Sequence, residues 1–234
     1  MLRVLPEIDL LIELKRLKSE GWIPSDRKGD TGIGKTIEDR LGIRENPLTQ
    51  PDCTYHGVPV EIKAHRLMTK SMITLFTLEA GVRNLNDIQL MKRYGYENGR
   101  GRRALKITLT TSAFTPQRLK LETNNSITIV DREGRRLWVW TVNDIKLKLH
   151  NLCVIYCASK KDKGREYFAV QKAILLTDLN EESFFDLVGS GTIKIDLRMH
   201  IKASGASRNH GTAFRIANFD ELTRCYQNQT EILN

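Results

Sequence analysis

Segments in which apolar and polar residues alternate fill most of the middle of this chain, and they constrain its fold more than any other feature. Such period-two alternation is typical of β-strands. It covers residues 60–64, 72–77, 104–110, 118–122, 126–130, 137–142, 152–158, 167–176 and 192–200. Helical spacing of apolar residues is restricted to residues 5–20, 35–41, 87–94, 179–188 and 220–226. Because helices and strands do not alternate regularly, we expect an α/β protein of the mixed α+β kind, with a mixed sheet and flanking helices.

The composition adds an excess of positive charge to this globular pattern. The 234 residues contain 37 Lys and Arg against 28 Asp and Glu, which gives a formal charge of +9 and a pI near 9.4. Such an excess attracts polyanions at long range and supplies non-specific affinity for nucleic acid. Many basic proteins bind no acidic partner, so the charge by itself does not establish nucleic-acid binding.

Several sequence features bear on the cellular compartment. No apolar run approaches the roughly 18 residues of a membrane span, and residues 1–15 lack the small-residue cleavage site of a signal peptide. The four cysteines, Cys53, Cys153, Cys157 and Cys225, have neither the spacing of a disulfide framework nor that of a zinc site. We therefore expect a cytoplasmic protein with no membrane contact and no structural zinc.

One motif matches a nucleotide-binding pattern letter for letter. Residues 29–36 (GDTGIGKT) satisfy the phosphate-loop pattern G-x-x-x-x-G-K-[ST], and residues 126–131 resemble the strand and Asp that hold Mg²⁺ in such enzymes. The loop requires a buried strand directly before it, which aims backbone N–H groups at a phosphate. Residues 21–28 contain a proline and three charges, which a central strand does not tolerate. A P-loop NTPase that uses residues 29–36 is therefore only an alternative, and what remains is a glycine-rich loop leading into a helix that carries Glu38.

Two short elements have the composition of a catalytic site. Pro51-Asp52 is followed by Glu61-Ile62-Lys63. In a strand, residues two apart project from the same face, so Glu61 and Lys63 share one face while their neighbours point into the core. A turn at residues 56–59 would fold the chain back and bring Asp52 close to Glu61. Two carboxylates suit Mg²⁺, which keeps several of its waters, and a nearby ammonium can orient or help deprotonate a metal-bound water that attacks phosphorus.

The same residues also have a purely structural interpretation. A Glu-x-Lys triplet at a strand edge is most often a solvated surface, because the triplet is so short. A third acid, Glu38, could complete a two-metal site, or it could be an exposed helical acid beside Asp39 and Arg40.

Seven motifs follow one another in a recognisable order: Gly21-Trp22, residues 27–39 (RKGDTGIGKTIED), Pro51-Asp52, Glu61-Ile62-Lys63, residues 71–77 (SMITLFT), residues 193–198 (IKIDLR) and residues 210–216 (HGTAFRI). This order resembles the MvaI/BcnI family of type II restriction endonucleases, which belongs to the MutH-like branch of the PD-(D/E)xK nucleases. The resemblance covers nearly the whole chain and is weakest over residues 84–165. Several motifs in one order are more specific than any single motif.

The resemblance implies a PD-(D/E)xK restriction-endonuclease-like fold with two lobes around a DNA cleft. We expect residues 1–234 to form a single endonuclease unit. Its catalytic lobe would consist of residues 1–90 plus 150–180. Its DNA-recognition lobe would consist mainly of residues 185–220, with part of 91–149.

The resemblance also assigns the catalytic residues. In that family the helix acid, the Pro-Asp acid and the Glu-x-Lys pair form the site, and here these are Glu38, Asp52, Glu61 and Lys63. The three acids would bind Mg²⁺, for which Mn²⁺ would substitute, and no other cofactor is expected. The gap from Asp52 to Glu61 is longer than in the family, as if the hairpin were extended by a turn, which leaves their register open.

The C-terminal motifs imply base reading. We expect DNA contacts from six residues: Asp196, Arg198, Arg208, His210, Thr212 and Arg215. An Arg can bond two acceptors of guanine and an Asp can accept from the cytosine amino group, which suits a G·C-rich site. Asp196 could instead pair with Arg198 or Arg215 inside the protein. Arg208 stands where the family has a histidine, so the identity of one base pair stays open.

We therefore expect a Mg²⁺-dependent type II restriction endonuclease that cleaves double-stranded DNA at a short pseudopalindromic site, CCWGG or a close variant such as CCSGG or CCNGG. By family precedent it would act in the prokaryotic cytoplasm as a monomer that nicks the strands in turn, with no obligatory protein partner. Two alternatives stay open: a MutH-like nickase that needs a repair partner, and a catalytically silent DNA-binding relative.

Overall fold

The computed structural model describes residues 4–29, 31–44, 50–67, 72–217 and 219–234. Within these ranges the helices are α1 (Leu10–Glu20), α2 (Gly32–Arg40), α3 (Asp87–Tyr94), α4 (Val142–Lys146), α5 (Glu181–Gly189) and α6 (Phe219–Thr223). The strands are β1 (Ile23–Pro24), β2 (Cys53–Tyr55), β3 (Val58–Arg66), β4 (Ile73–Thr77), β5 (Val82–Arg83), β6 (Tyr96–Glu97), β7 (Arg103–Leu109), β8 (Leu119–Thr123), β9 (Ser126–Asp131), β10 (Arg136–Thr141), β11 (Asn151–Asp162), β12 (Arg165–Leu179), β13 (Ile193–Ile201), β14 (Ser207–Asn209), β15 (Ala213–Ile216) and β16 (Tyr226–Leu233).

The chain divides into two compact units, each built from separate stretches of sequence. The first unit contains Met1–Ser71, His150–Asn180 and Tyr226–Asn234, and the second contains Met72–Leu149 and Glu181–Cys225. The sequence-based division assigned residues 72–90 to the catalytic lobe, whereas these residues belong to the second unit because β4 pairs with β15. The C-terminal strand joins the first unit because β16 pairs with β12.

The first unit is built on one mixed sheet. Its strand order is β1-β12-β11-β3-β2, and β16 also pairs with β12. Strands β11 and β3 are parallel, and the other pairs are antiparallel. The mixed sheet agrees with the fold class predicted from the irregular order of strands and helices.

The second unit contains two antiparallel sheets. One has the order β4-β15-β13-β7-β6, with β14 paired to β13, and the other has the order β5-β10-β9-β8. Trp140 and Phe214 are fully buried and meet edge to face, with ring centroids 5.7 Å apart. The indole N–H of Trp140 donates to the backbone oxygen of Leu78 at 3.0 Å, so its burial leaves no unpaired donor.

Helix α1 forms part of the core of the first unit. Leu10, Leu14 and Leu17 repeat at helical spacing and are fully buried. The predicted helix over residues 5–20 began too early, because Asp9 caps α1 by accepting from the backbone N–H of Ile12 at 3.1 Å.

Every segment with strand-like alternation coincides with a strand or overruns it by one residue, and every segment with helical spacing overlaps a helix. The elements that the pattern missed are short or polar. Strand β16 has five consecutive exposed residues and therefore no alternation to detect. Residues 202–209 are mainly polar, small or basic and show no alternation, yet they contain β14, whose three residues pair with the end of β13.

Among the described residues, no helix combines the length and apolar character that crossing a bilayer requires.

Replacing Leu14 by Ala tests the packing of α1. We expect Leu14→Ala to lower the free energy of unfolding by about 2–5 kcal/mol, because it removes a fully buried side chain and leaves a cavity. Ile12 lies on the same helix with 62% of its surface exposed, so Ile12→Ala should change stability by no more than about 0.5 kcal/mol. Urea unfolding of both variants measures the difference. Equal losses would contradict the assigned inner face.

Candidate active site

The β2–β3 hairpin sets the register of the predicted site. Its turn consists of His56 and Gly57 alone, with φ values of 50° and 73°. Positive φ at both central residues is typical of the tight turns that match the twist of a hairpin. The turn predicted over residues 56–59 is therefore shorter, and β3 begins at Val58. Tyr55 pairs with Val58, and Cys53 pairs with Val60.

This register brings Asp52 to the side of Glu61. The Asp52 N–H donates to the backbone oxygen of Val60 at 3.2 Å, so the ladder continues one step beyond β2. The Asp52 carboxylate in turn accepts from the backbone N–H of Ile62 at 2.8 Å. The long interval between Asp52 and Glu61 is thus absorbed by extra hairpin pairs, and the two carboxylates lie next to each other.

Strand β3 separates its core residues from its polar residues as the alternation predicted. Val60 and Ile62 are buried in the core of the first unit, while the side chains of Glu61 and Lys63 are each 22% exposed on the other face. The Lys63 ammonium donates to Glu61 Oε1 at 2.6 Å. The Glu-x-Lys triplet therefore forms a half-buried ion pair rather than a solvated edge.

Glu38 reaches the same site from α2. The helix packs Ile33 and Ile37 into the core of the first unit and leaves Glu38 half-buried beside the strand acids. Helix α2 begins three residues earlier than predicted, at Gly32. A Cβ on Gly32 would lie 2.7 Å from the Ser25 hydroxyl, so the close approach of the preceding loop requires glycine there.

The close packing of three carboxylates raises the pKa values of two of them. Burial, followed by the charges of Asp52 and Glu61, raises the pKa of Glu38 to about 7. Burial, followed by the charge of Glu61, raises the pKa of Asp52 to about 6. Burial opposes the charge on Lys63, but the three carboxylates, Glu61 foremost, raise the pKa of Lys63 above its usual value. Like charges that share a half-buried site are typical of functional centres, since a bound cation relieves their repulsion.

The donor set fits Mg²⁺ through two carboxylates rather than three. Among the residues that the structure describes, no group of three His, Cys, Asp or Glu side chains is arranged to hold a metal ion. Asp52 and Glu61 are adjacent, and Mg²⁺ is commonly bound by one or two carboxylates while keeping its other waters. Glu38 acts on this pair through its charge. Glu38 is carried by a separate helix, and its role as a third metal ligand stays a prediction.

The phosphate-loop match does not have the structure that nucleotide binding needs. Strand β1, which precedes the loop, has only two residues, and the Lys35 ammonium forms an ion pair with Asp39 on its own helix. The Asp131 carboxylate at the end of β9 is buried and accepts from Tyr94 and Arg135, each at 2.6 Å. Neither half of the motif thus resembles a phosphate or Mg²⁺ site; Asp30 in this motif lies outside the described residues.

Two of the predicted DNA-reading residues pair with each other. The Asp196 carboxylate is buried, and it accepts from the Thr108 hydroxyl at 2.6 Å and from Arg215 Nη1 at 2.8 Å. Arg215 also donates to the backbone oxygen of Met72 at 2.7 Å. This is the pairing with Arg215 that the sequence left open, and it forms because β13 and β15 are neighbouring strands that bring the two side chains within reach. Base reading by Asp196 stays a prediction.

Thr212 has a structural role in this state. It is fully buried, and its backbone N–H donates to Glu79 at 3.1 Å. The predicted DNA contact of Thr212 stays a prediction.

Arg198, Arg208 and His210 belong to a basic face of the second unit. Arg208 and His210 are exposed. Arg198 is half-buried, and its Nε has no hydrogen-bond partner, as is also true of Arg215 Nε. An unpaired buried donor is costly unless a ligand satisfies it. Both Nε atoms are themselves buried, so they mark a local cost in the folded protein rather than accessible contacts.

The structure adds His200, which the sequence analysis did not select, to this face. The rings of His200 and His210 stack with centroids 5.5 Å apart. Burial, and then Arg102 and Lys106, lower the pKa of His200, while burial, and then Arg208, lower the pKa of His210. Both rings are thereby biased towards the neutral form, which offers a donor and an acceptor. The alternation of Asp196, Arg198 and His200 along β13 was the signal that could have identified His200.

Comparisons with known proteins bear on the whole chain. A family model described as the MvaI/BcnI restriction endonuclease family matches residues 11–222. A solved complex of restriction endonuclease MvaI with its cognate DNA substrate is 29% identical, covers 96% of this chain and 97% of that chain, and has a TM-score of 0.80. MvaI in the absence of DNA is 28% identical, with 96% of each chain covered and a TM-score of 0.55. A comparison with curated proteins found no match.

The raised pKa of Glu38 makes the free energy of unfolding depend on pH. The pKa of Glu38 is about 7 in the folded protein and near its ordinary value of 4.5 in the unfolded chain. The folded state therefore binds more protons between these pH values, and stability falls as pH rises through them. We expect Glu38→Gln, measured without divalent cations, to raise the free energy of unfolding by about 1–3 kcal/mol at pH 8 and by much less at pH 4.5. Urea unfolding at both pH values tests this, and an equal effect at both would contradict it.

Proposed function

Because the chain belongs to the MvaI/BcnI restriction endonuclease family, we propose that it hydrolyses phosphodiester bonds of duplex DNA in a Mg²⁺-dependent reaction at a short G·C-rich pseudopalindromic site, CCWGG or a close variant. As a member of that family it is a type II site-specific deoxyribonuclease. The proposed chemistry rests on one observation: Asp52, Glu61 and Lys63 lie side by side on one hairpin, and Glu38 lies beside them.

Asp52 and Glu61 are the proposed ligands of Mg²⁺, with Glu38 as the third acid of the site. When bound, Mg²⁺ supplies a Lewis acid for the scissile phosphate and an activated water. Mn²⁺ accepts the same oxygen ligands and would substitute for it. The raised pKa values of Glu38 and Asp52 support this assignment, because burial and the neighbouring carboxylates disfavour the charged acids, and a bound divalent cation would offset both effects.

Lys63 contributes a positive charge at a defined position. Its ammonium stays protonated because carboxylates surround it. It donates to Glu61 Oε1. A scissile phosphate that enters the site offers further acceptors, so the ammonium can orient the attacking water and offset the charge that develops on the phosphate oxygens.

The basic face of the second unit is the proposed base-reading surface. MvaI has been solved with cognate DNA, and we infer duplex DNA as the substrate here. Arg198 and Arg208 have the donor geometry for guanine, and His210 offers a donor and an acceptor to a base edge. The Asp196–Arg215 pair would act as one unit in which the carboxylate orients the guanidinium. Thr212 would act by holding the backbone next to His210.

One chain carries one complete set of catalytic residues. Glu38, Asp52, Glu61 and Lys63 all lie in the first unit. We therefore propose a monomer that nicks the two strands in turn, acting in the prokaryotic cytoplasm without an obligatory protein partner.

The catalytic assignment is tested by Lys63→Ala and Glu61→Ala. Plasmid DNA of known sequence is incubated with each variant and Mg²⁺, and the ends are mapped. We expect cleavage by either variant to fall by at least about 10²-fold, while binding to the same DNA changes little. Lys63→Ala loses a positive charge at the scissile phosphate, and Glu61→Ala loses a proposed Mg²⁺ ligand. Lys146→Ala, which removes a surface ion pair with Glu181, is the matched control and should cleave normally.

Three results, from this experiment or from simple additions to it, would overturn the proposal. Normal cleavage by Lys63→Ala would remove the proposed chemistry. Cleavage of one strand only, and only with a repair protein added, would favour a MutH-like nickase. Nucleotide hydrolysis that Lys35→Ala abolishes would favour the phosphate loop.

Arg198→Ala tests the reading face. We expect it to weaken discrimination at one base pair by about 1–3 kcal/mol, since a two-bond contact to guanine would be lost. Cleavage rates on duplexes with single base-pair changes measure this. A uniform loss on all duplexes would instead assign Arg198 to phosphate contact.

A further inference from the structure

An ion-pair network lies beneath the segment that carries His210, and neither the catalytic site nor the proposed base contacts use it. We define the reading loop as residues 209–212, between β14 and β15. Its centre is Glu79, in the turn after β4. The side chain of Glu79 is 39% exposed, yet both of its carboxylate oxygens are engaged.

Glu79 holds both ends of the reading loop. Its Oε1 accepts from the Thr212 backbone N–H at 3.1 Å, and its Oε2 accepts from Asn209 Nδ2 at 3.2 Å. Asn209 in turn accepts from the Gly211 N–H at 2.9 Å. The two residues that flank His210 and Gly211 are therefore tied to one carboxylate.

The network is anchored on its other side by Arg83. This guanidinium pairs with Glu79 at 2.7 Å and with Asp87 at 3.3 Å. It also lies over the ring of buried Trp138, with its central carbon 5.1 Å from the ring centroid. Since Asp87 is the first residue of α3, the reading loop is connected to an element of regular structure and to the core.

The geometry of the reading loop leaves little freedom for His210. Its N–H donates to the backbone oxygen of Arg198 at 2.9 Å. Gly211 has φ +87° and sits against the side chain of Thr77, so other residues would be strained there. The exposed ring of His210 then stacks on His200. A contact that reads a base depends on such fixed placement, because sub-ångström errors weaken a hydrogen bond.

We propose that Glu79 is a positioning residue for sequence recognition, which fixes the reading loop so that His210 meets a base edge in a single orientation. Glu79 touches no DNA in this scheme. Its ion pair with Arg83 reduces the repulsion between its own negative charge and the DNA phosphates. The inference rests on the proposed function, because it requires His210 to read DNA. It adds a residue that determines specificity without belonging to the basic face.

The experiment compares cleavage fidelity between variants. Wild-type protein, Glu79→Ala, His210→Ala and the double variant are each incubated with Mg²⁺ and plasmid DNA of known sequence, and all ends are mapped. The readout is the ratio of cuts at sites with one altered base pair to cuts at the main site. We expect Glu79→Ala to raise this ratio roughly tenfold, the size of a lost base contact. We expect kcat at the main site to change less than KM.

The double variant separates positioning from a general structural effect. If Glu79 acts through His210, the double variant should be no less selective than His210→Ala alone. Asn209→Ala cuts the same link from the loop side while leaving the Glu79–Arg83 pair intact, and it should reproduce the loss of fidelity. Glu122→Ala is the matched control, since it removes a similarly exposed ion pair, with Lys120 at 3.1 Å, in the same unit.

Each remaining outcome is decisive. Unchanged fidelity in Glu79→Ala, additive losses in the double variant, or an equal loss in Glu122→Ala would overturn the role of Glu79. If the wild-type protein leaves the plasmid intact, the proposed function itself fails, and this is seen before any variant is compared.

Discussion

The antiparallel pairing of β2 with β3 is the interaction on which the chemistry of this protein depends. A two-residue turn at His56 and Gly57 sets the register, and the register places Asp52 beside Glu61. A slip of one residue would turn Glu61 and Lys63 into the core and expose Ile62, which is strongly unfavourable for a half-buried sheet. Burial of the neighbouring residues therefore holds the catalytic side chains in place.

The site concentrates negative charge at a cost to the folded state. Burial and mutual repulsion raise the pKa values of Glu38 and Asp52, so the acids retain protons that they would lose in water. Only the Lys63 ammonium compensates from within the Glu-x-Lys face. Such local frustration is typical of functional sites, where the binding of an ion or substrate recovers the free energy that folding loses.

The second unit also contains polar side chains, and they divide into those paired inside the protein and those left for an external partner. Asp196, Arg215 and Thr212 are used inside the protein, while Arg198, Arg208 and His210 retain donors or exposure for an external partner. In the proposed function, the remaining groups contact bases, and the buried pairs, which never touch a base, hold them in place.

The sequence by itself determined the fold class and the family, and it predicted the catalytic residues. Alternation along the chain marked the strands, and the order of motifs identified the MvaI/BcnI family, which the family comparison confirmed. Only the tertiary structure decided which polar groups are already paired. Asp196 and Arg215 are 19 residues apart in sequence yet bonded across two strands, and Glu79 meets Thr212 from 133 residues away. Such contacts depend on strand order and register, and these are set by packing between distant segments rather than by any local pattern.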